Sequence, residues 1–384
     1  MGKSAFLIFC ILFSMFESVD AGVTHQFCLP RENKSLVEVY FSPPNNPSTP
    51  IIVAIQGSSC ESAFPWYTHL SRQIQSLGLG LVVIEKQGIS KNDINLSEYH
   101  YTNCIEQRQE DYILCLKHLS NMYPEWNGKI IFWGESEGGM IAINLANQLP
   151  ETAGLLLFST GGGISPREEV KWQLKHRLEK HGATEDEVAQ YMTLLNERMD
   201  VMVVDQNPNE LFLGNSHKWW ASLLNIEPIL SKMRKLHMPI YFVHGVEDVE
   251  IPVCSADLVA DALKESDNFT YLRLEAYGHH LDNSHVRLLA CEWLNKTFSE
   301  HLLHTDWQAD ISTYVLSRGG ELSVGLEASK DNQGNQQASV SVELSTNNQS
   351  GLNVTGSAQG EVSQDRNGEI KVESKIEVSG TLKF

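Results

Sequence analysis

The chain has 384 residues, enough for one large core with a smaller unit beside it. Its 42% hydrophobic and 20% charged residues are those of a globular protein, not of a disordered one. A net charge of −19, from 29 basic against 48 acidic residues, argues against nucleic acid or an anionic membrane surface as a partner.

At the start, Lys3 precedes the apolar run AFLIFCILFSMF, Ala5 to Phe16. The run is too short to span a bilayer and reads as the core of an export signal. Val19 and Ala21 suit the positions just before a cut at Gly22, so residues 1–21 are expected to be a signal peptide. The mature chain is then secreted, periplasmic or on the cell surface. No second long apolar run follows, so no transmembrane helix is expected. Export permits disulfides. Cys60 and Cys104, both in expected loops, are the first pair to consider, whereas Cys115 in DYILCLKHL reads as a buried thiol.

Residues 22–310 form the expected main domain. IIVAIQG (Ile51 to Gly57), LVVIEKQG (Leu81 to Gly88), KIIFWGES (Lys129 to Ser136), GLLLFSTGGG (Gly154 to Gly163), PIYFVHG (Pro239 to Gly245) and FTYLRLEAYG (Phe269 to Gly278) each read as a buried strand ending in a turn. Helical patterns lie between them, as in Asn103 to Met122, Gly139 to Gln148, Ser255 to Glu265 and His285 to His301. Continuous apolar strands alternating with helices imply an α/β fold, a doubly wound, mainly parallel sheet with both faces covered. Ligands of such sheets bind at the C-terminal strand ends, where these Gly-rich turns lie. Residues 165–236 interrupt the alternation with long mixed helices and are expected to form a helical cap. Trp219 and Trp220 in HKWWASLL would either line a pocket or pin the cap to the sheet.

From residue 319 to 384 aromatic residues thin out and apolar residues alternate, as in Leu322, Val324 and Leu326 and again in Ile370, Val372, Ile376 and Val378. Turn residues separate the runs, so a small antiparallel β meander is expected, able to dock a partner or self-associate.

The chemistry centres on WGESEGGM, Trp133 to Met140. A G-x-S-x-G match alone is weak, because a serine after a strand can simply cap the next helix. Placed between a strand and a helix, however, the glycines allow a sharp turn that exposes the Ser136 hydroxyl. A serine nucleophile needs a base, an acid to orient that base, and donors for the oxyanion. Asp248 follows one strand in HGVEDVEIP and His279 follows the next in YGHH, so Ser136, Asp248 and His279 occur in the order of a doubly wound hydrolase sheet. Glu247 and Glu250 compete with Asp248, and His280 competes with His279.

QGSSC, GESEGG, HGVEDVEIP and YGHH together resemble the α/β-hydrolase superfamily, as a serine hydrolase with a helical cap, over residues 36 to 304. The resemblance implies Ser136 as nucleophile, His279 as base, and Asp248 as its acid. It implies an oxyanion hole from the backbone N–H groups of Glu137 and Ser58, although Gln56 stands where relatives commonly have histidine. Glu85 and Lys86 match a loop that shapes the pocket. No metal and no cofactor are implied. The expected activity is cleavage of a small-molecule acyl compound, above all a carboxylic ester. A peptidase, lipase or thioesterase with the same three residues stays open, as does a binding protein that keeps the fold without the chemistry. The glutamates flanking Ser136 are expected to place a negative field there, favouring a His279 imidazolium and disfavouring anionic substrates.

Overall fold

The computed structural model describes residues 25–281 and 284–298, and the backbone of 321–330, 336–345, 352–364 and 370–382. The expected signal peptide lies outside the described residues. Contacts divide the chain into two units, Met1–Thr305 and Asp306–Phe384.

The first unit is built on one eight-stranded sheet in the order β1-β2-β4-β3-β5-β6-β9-β10. Its strands are β1 (His25–Pro30), β2 (Leu36–Ser42), β3 (Ile51–Ile55), β4 (Gly80–Ile84), β5 (Ile130–Glu135), β6 (Thr152–Phe158), β9 (Ile240–Gly245) and β10 (Phe269–Leu274). From β4 onward along that order the neighbours are parallel, while β2 pairs antiparallel with both β1 and β4. The mainly parallel sheet is therefore present, with an antiparallel edge that precedes the first strand named from the sequence. No run in β1 is continuously apolar. Exposed residues alternate with half-buried His25 and Phe27 and buried Leu29, as suits an edge strand.

Side-chain alternation divides the core. Ile51, Val53 and Ile55 face one side with α3 (Ile105–Met122), α4 (Glu137–Ala146) and α9 (Val253–Leu263). Ile52 and Ala54 face the other with α1 (Phe64–Ser76) and α10 (Ser284–Phe298). A short helix, α2 (Leu96–Thr102), is capped by the Asn95 side chain on the Glu98 N–H and leads into α3.

The cap comprises α5 (Pro166–Lys180), α6 (Glu185–Asp205), a two-stranded sheet of β7 (Leu211–Phe212) and β8 (Asn215–Ser216), α7 (His217–Leu224) and α8 (Leu230–Met233). Sequence makes its helix starts. Ser165 caps α5, with Pro166 in the first turn, and Thr184 and Glu187 form a reciprocal capping box on α6. The cap also reaches into the main body. Ser222 Oγ accepts the Ile105 N–H at 3.2 Å, supplying an acceptor for the start of α3 where Cys104 offers no side-chain bond.

In the second unit, β11 (Glu321–Lys330), β12 (Gln336–Ser345), β13 (Leu352–Gln364) and β14 (Ile370–Leu382) pair antiparallel in chain order. The alternating runs noted in the tail lie inside these strands.

The thiols of Cys60 and Cys104 are free, against the expected bridge; Cys104 is buried at the start of α3. Cys115 is a buried thiol, as its apolar surroundings imply. No helix among the described residues is long and apolar enough to cross a membrane.

One buried ion pair fastens the sheet edge to α3. Arg31 Nε and Nη2 donate to the two carboxylate oxygens of Asp111 at 2.6 and 2.7 Å, while Nη1 donates to the Leu36 carbonyl at 2.7 Å. Removing one partner strands a buried charge. Arg31→Ala is expected to lower unfolding free energy by about 3–5 kcal/mol, read from urea denaturation, with Arg31→Met/Asp111→Leu recovering most of the loss.

Candidate active site

Ser136 sits between β5 and α4 with φ 53° and ψ −121°, outside the regions an L-residue ordinarily occupies. Two contacts impose this turn. The Ser136 N–H is held by the Phe158 carbonyl of β6 at 2.8 Å, and α4 crosses β3 so closely that a Cβ on Gly138 would lie 2.0 Å from the Ile55 carbonyl oxygen. Only glycine fits there. The hydroxyl is thereby lifted clear of both elements.

Ser136 Oγ lies 3.1 Å from His279 Nε2, and His279 Nδ1 lies 2.8 Å from Asp248 Oδ2. The carboxylate can only accept, so Nδ1 carries the proton and Nε2 is left to accept from the hydroxyl. Asp248 Oδ1 accepts the N–H groups of Glu250 and Ile251 at 2.8 and 2.9 Å. Burial pushes the Asp248 carboxyl up, but the hydrogen bond and charge of His279, with the Ile251 N–H, hold it below its ordinary value. It therefore stays ionised. The loop bearing His279 is fixed by Ser159, whose hydroxyl donates to the His279 carbonyl at 2.7 Å.

Among the competing residues, Glu250 and His280 are held in other contacts. Glu250 is bound by Gln173 and Arg177 of α5 and so ties the cap to the Asp248 loop. His280 packs edge-on to His279 with ring centroids 5.7 Å apart. His244 is fully buried beside Asp248, with Nε2 3.4 Å from Oδ2 and 3.2 Å from the Ile251 carbonyl.

Ser58 and Glu137 line the same cavity as the Ser136 hydroxyl. Glu137 is the first residue of α4, so its N–H has no acceptor within the helix. Gly57 brings the other loop to the serine, a Cβ there standing 3.3 Å from Ser136 Cβ. Trp219 and Trp220 both line the same cavity of about 740 Å³ as Ser136, Ser58 and His279. Both also serve packing: Trp219 Nε1 donates to Glu137 Oε2 at 2.6 Å, and Trp220 Nε1 to the Phe212 carbonyl at 2.7 Å. Among the described residues no cluster of three or more His, Cys, Asp or Glu could hold a metal.

Arg108 was not singled out from the sequence, yet it is buried beside this site. Its guanidinium pairs with Glu137, and burial of its charge is more than offset by that carboxylate, so its pKa rises. The negative field expected of Glu137 is thus neutralised. Glu135 receives a long contact of 3.5 Å from Trp133 Nε1. Glu169, also unforeseen, projects from α5 into the cavity, where it accepts from Ser255 Oγ at 2.6 Å and the Gly162 N–H at 3.1 Å.

The family model described as serine aminopeptidase, S33, matches residues 48–283. The chain belongs to this family of α/β-hydrolases. It is accordingly a hydrolase. No curated protein matches the sequence significantly. Solved structures of similar fold include an esterase of Pyrococcus furiosus, 13% identical with a TM-score of 0.51 over 72% of this chain and 92% of its own. Est1E of Butyrivibrio proteoclasticus with ferulic acid bound is 14% identical, with a TM-score of 0.51 over 71% of this chain and 99% of its own. At such identities the likeness is one of fold.

Burial pushes the Glu169 carboxyl up from 4.5 to about 7, against its two hydrogen bonds. An acid whose folded pKa is raised stabilises the fold below its unfolded pKa and loses that contribution as pH rises through the folded one. Between pH 4.5 and 7 the hydrolase should therefore lose stability with a slope of at most about 1.4 kcal/mol per pH unit from this group. Glu169→Gln is expected to flatten that part of a plot of Tm against pH.

Proposed function

We propose that the chain is an exported serine hydrolase that cleaves carboxylic esters through an acyl-enzyme. The observation that carries the reading is the continuous relay from Ser136 Oγ through His279 to the ionised Asp248. In this reading His279 Nε2 takes the hydroxyl proton as Ser136 Oγ bonds to the acyl carbon. The carbonyl oxygen becomes an oxyanion facing the N–H groups of Glu137 and Ser58. Asp248 stabilises the imidazolium, which then gives its proton to the departing alkoxide. Water repeats the sequence on the acyl-Ser136 ester, with His279 again base and then acid, and the acid product leaves.

The cavity favours esters of moderate size with an apolar or aromatic acyl part. Its volume of about 740 Å³ falls within the usual range for small-molecule sites, and Trp66, Phe158, Trp219, Trp220 and Leu223 line it. Est1E holds ferulic acid, an aromatic acid, on a similar fold. Peptide-bond cleavage is the second reading, since the matched family is described as an aminopeptidase. A thioesterase or lipase would use the same atoms. Export through residues 1–21 completes the proposal, and a mature N-terminus at Gly22 in secreted protein would bear it out. The C-terminal strands are assigned docking or self-association, apart from the chemistry.

A panel of p-nitrophenyl esters and aminoacyl p-nitroanilides separates the readings. Esters should be the better substrates by kcat/KM, and Ser136→Ala should lower their kcat by roughly 1000-fold or more. Turnover that survives Ser136→Ala would sink the mechanism. Absence of labelling by a fluorophosphonate would favour a binding protein instead. Deleting residues 319–384 is expected to leave ester hydrolysis unchanged, and a loss of turnover would assign the tail a part in the chemistry.

A further inference from the structure

We propose that Arg108 is the positioning residue of the oxyanion hole, holding both of its halves in one geometry; this rests on the Ser136 mechanism above. One half is the start of α4, where the Glu137 N–H would receive the oxyanion. The other is the loop after β3, where the Ser58 N–H would do so. These halves belong to different βα units: β3 and β5 pair as far as Ile55 and Gly134, and both donors lie beyond that last pair.

Arg108 enters from α3 and is 5% exposed. Its Nη1 donates to Glu137 Oε1 and, at 3.4 Å, to the Gly57 carbonyl, while Nη2 donates to the Gln56 carbonyl at 2.5 Å. One planar group therefore grips the side chain of the first donor residue and the two carbonyls just before the second. Trp219 closes the remaining oxygen of Glu137 from the cap side.

The loop is gripped along its whole length. Tyr99 Oη donates to the Ser58 carbonyl at 2.9 Å, and Lys86 Nζ donates to the Ser59 carbonyl at 2.5 Å and to Gln56 Oε1 at 2.7 Å. Four consecutive carbonyls, from Gln56 to Ser59, thus each have a side-chain donor. In a trans peptide the N–H points opposite to the C=O. Fixing the Gly57 carbonyl on Arg108 turns the Ser58 N–H away from the guanidinium, in the loop whose Gly57 packs against Ser136. Gln56 is part of the device, because its side chain accepts from Lys86.

The geometry needs arginine. A guanidinium offers several donors in a rigid fork, whereas an ammonium is a single point that cannot set two halves at a fixed spacing. A buried ion pair is weak evidence for net stability, so the consequence of this one is registration.

The test uses the full chain with p-nitrophenyl esters, fluorophosphonate titration of active sites, and Tm. Arg108→Lys keeps the charge beside Glu137 but loses the fork, and Arg108→Met/Glu137→Gln removes both charges while keeping the Glu137-position N–H. Both should fold with a Tm near that of the native chain. In both, kcat per titrated site should fall on the order of 10–100-fold, with KM changed by less than about threefold. A trifluoromethyl ketone, which forms an oxyanion on the serine, should bind more weakly by a similar factor. Folded Arg108→Lys with kcat and ketone affinity within about threefold of the native chain would overturn the proposal. So would recovery of kcat in the double variant, which would reduce Arg108 to neutralising Glu137. If instead the native chain is not labelled, or Ser136→Ala still turns over esters, the serine mechanism itself falls and this inference with it.

Discussion

The passage of α4 across the end of β3 is the constraint on which the rest of the site depends. Gly138 meets the Ile55 carbonyl so closely that no side chain fits, and a Cβ on Gly134 would stand 2.6 Å from the Gly138 carbonyl oxygen. Strand, turn and helix are therefore locked into one path. Ser136 takes up the cost as a strained backbone conformation of positive φ, and its neighbours follow: Glu137 becomes the first helical residue, with an N–H that the helix cannot use. Moving α4 outward by an ångström would relax Ser136 and dissolve the arrangement of hydroxyl, imidazole and donor together.

Around this turn the molecule handles charge in two ways. Asp248 is held ionised by partners on each oxygen, two backbone N–H groups on one and His279 on the other. Glu137 is instead matched at once by Arg108 and Trp219. Lys86, buried close by, is pushed well below its ordinary pKa by burial and by Arg108, and still has hydrogen atoms to donate to Gln56 and Ser59. A chain of net charge −19 thus sets two buried basic side chains, Arg108 and Lys86, on the carbonyls of the loop after β3. The flanking glutamates supply no simple negative field, because one of them is neutralised at its source.

Much of this was legible in the residues. Parallel strands buried on both faces read as apolar runs, so β3, β5, β6 and β9 stood out, and Ser136 and Asp248 were found because each follows such a run; His279 follows β10, read as buried from the sequence but in fact a partly exposed edge strand. The edge strand β1 did not stand out, since HQFCLP is half exposed and carries no apolar run. Arg108 was missed for a related reason: an arginine in a helix is by default a solvated one. Its position held the clue. Ile105, Arg108, Asp111, Tyr112, Cys115 and Leu119 follow helical spacing on one buried face, so two charges lie in an apolar stripe. Charges there must find partners, and they do, in Glu137 and Arg31. The cysteine reading failed because loop position alone cannot show whether two Cβ vectors face each other. The roles of Trp219 and Trp220 were posed as alternatives, yet one ring can line a cavity with its face and anchor a glutamate with its nitrogen.

The bond from Ile105 to Ser222 has a wider consequence. Ser222 and Trp219 belong to the same cap helix, α7; one meets the first turn of α3, the helix that carries Arg108, and the other meets Glu137 directly. Withdrawing α7 would therefore uncap one helix and unpair the first residue of another in a single movement. The position of α7 and the geometry on both sides of Ser136 are in this way tied together.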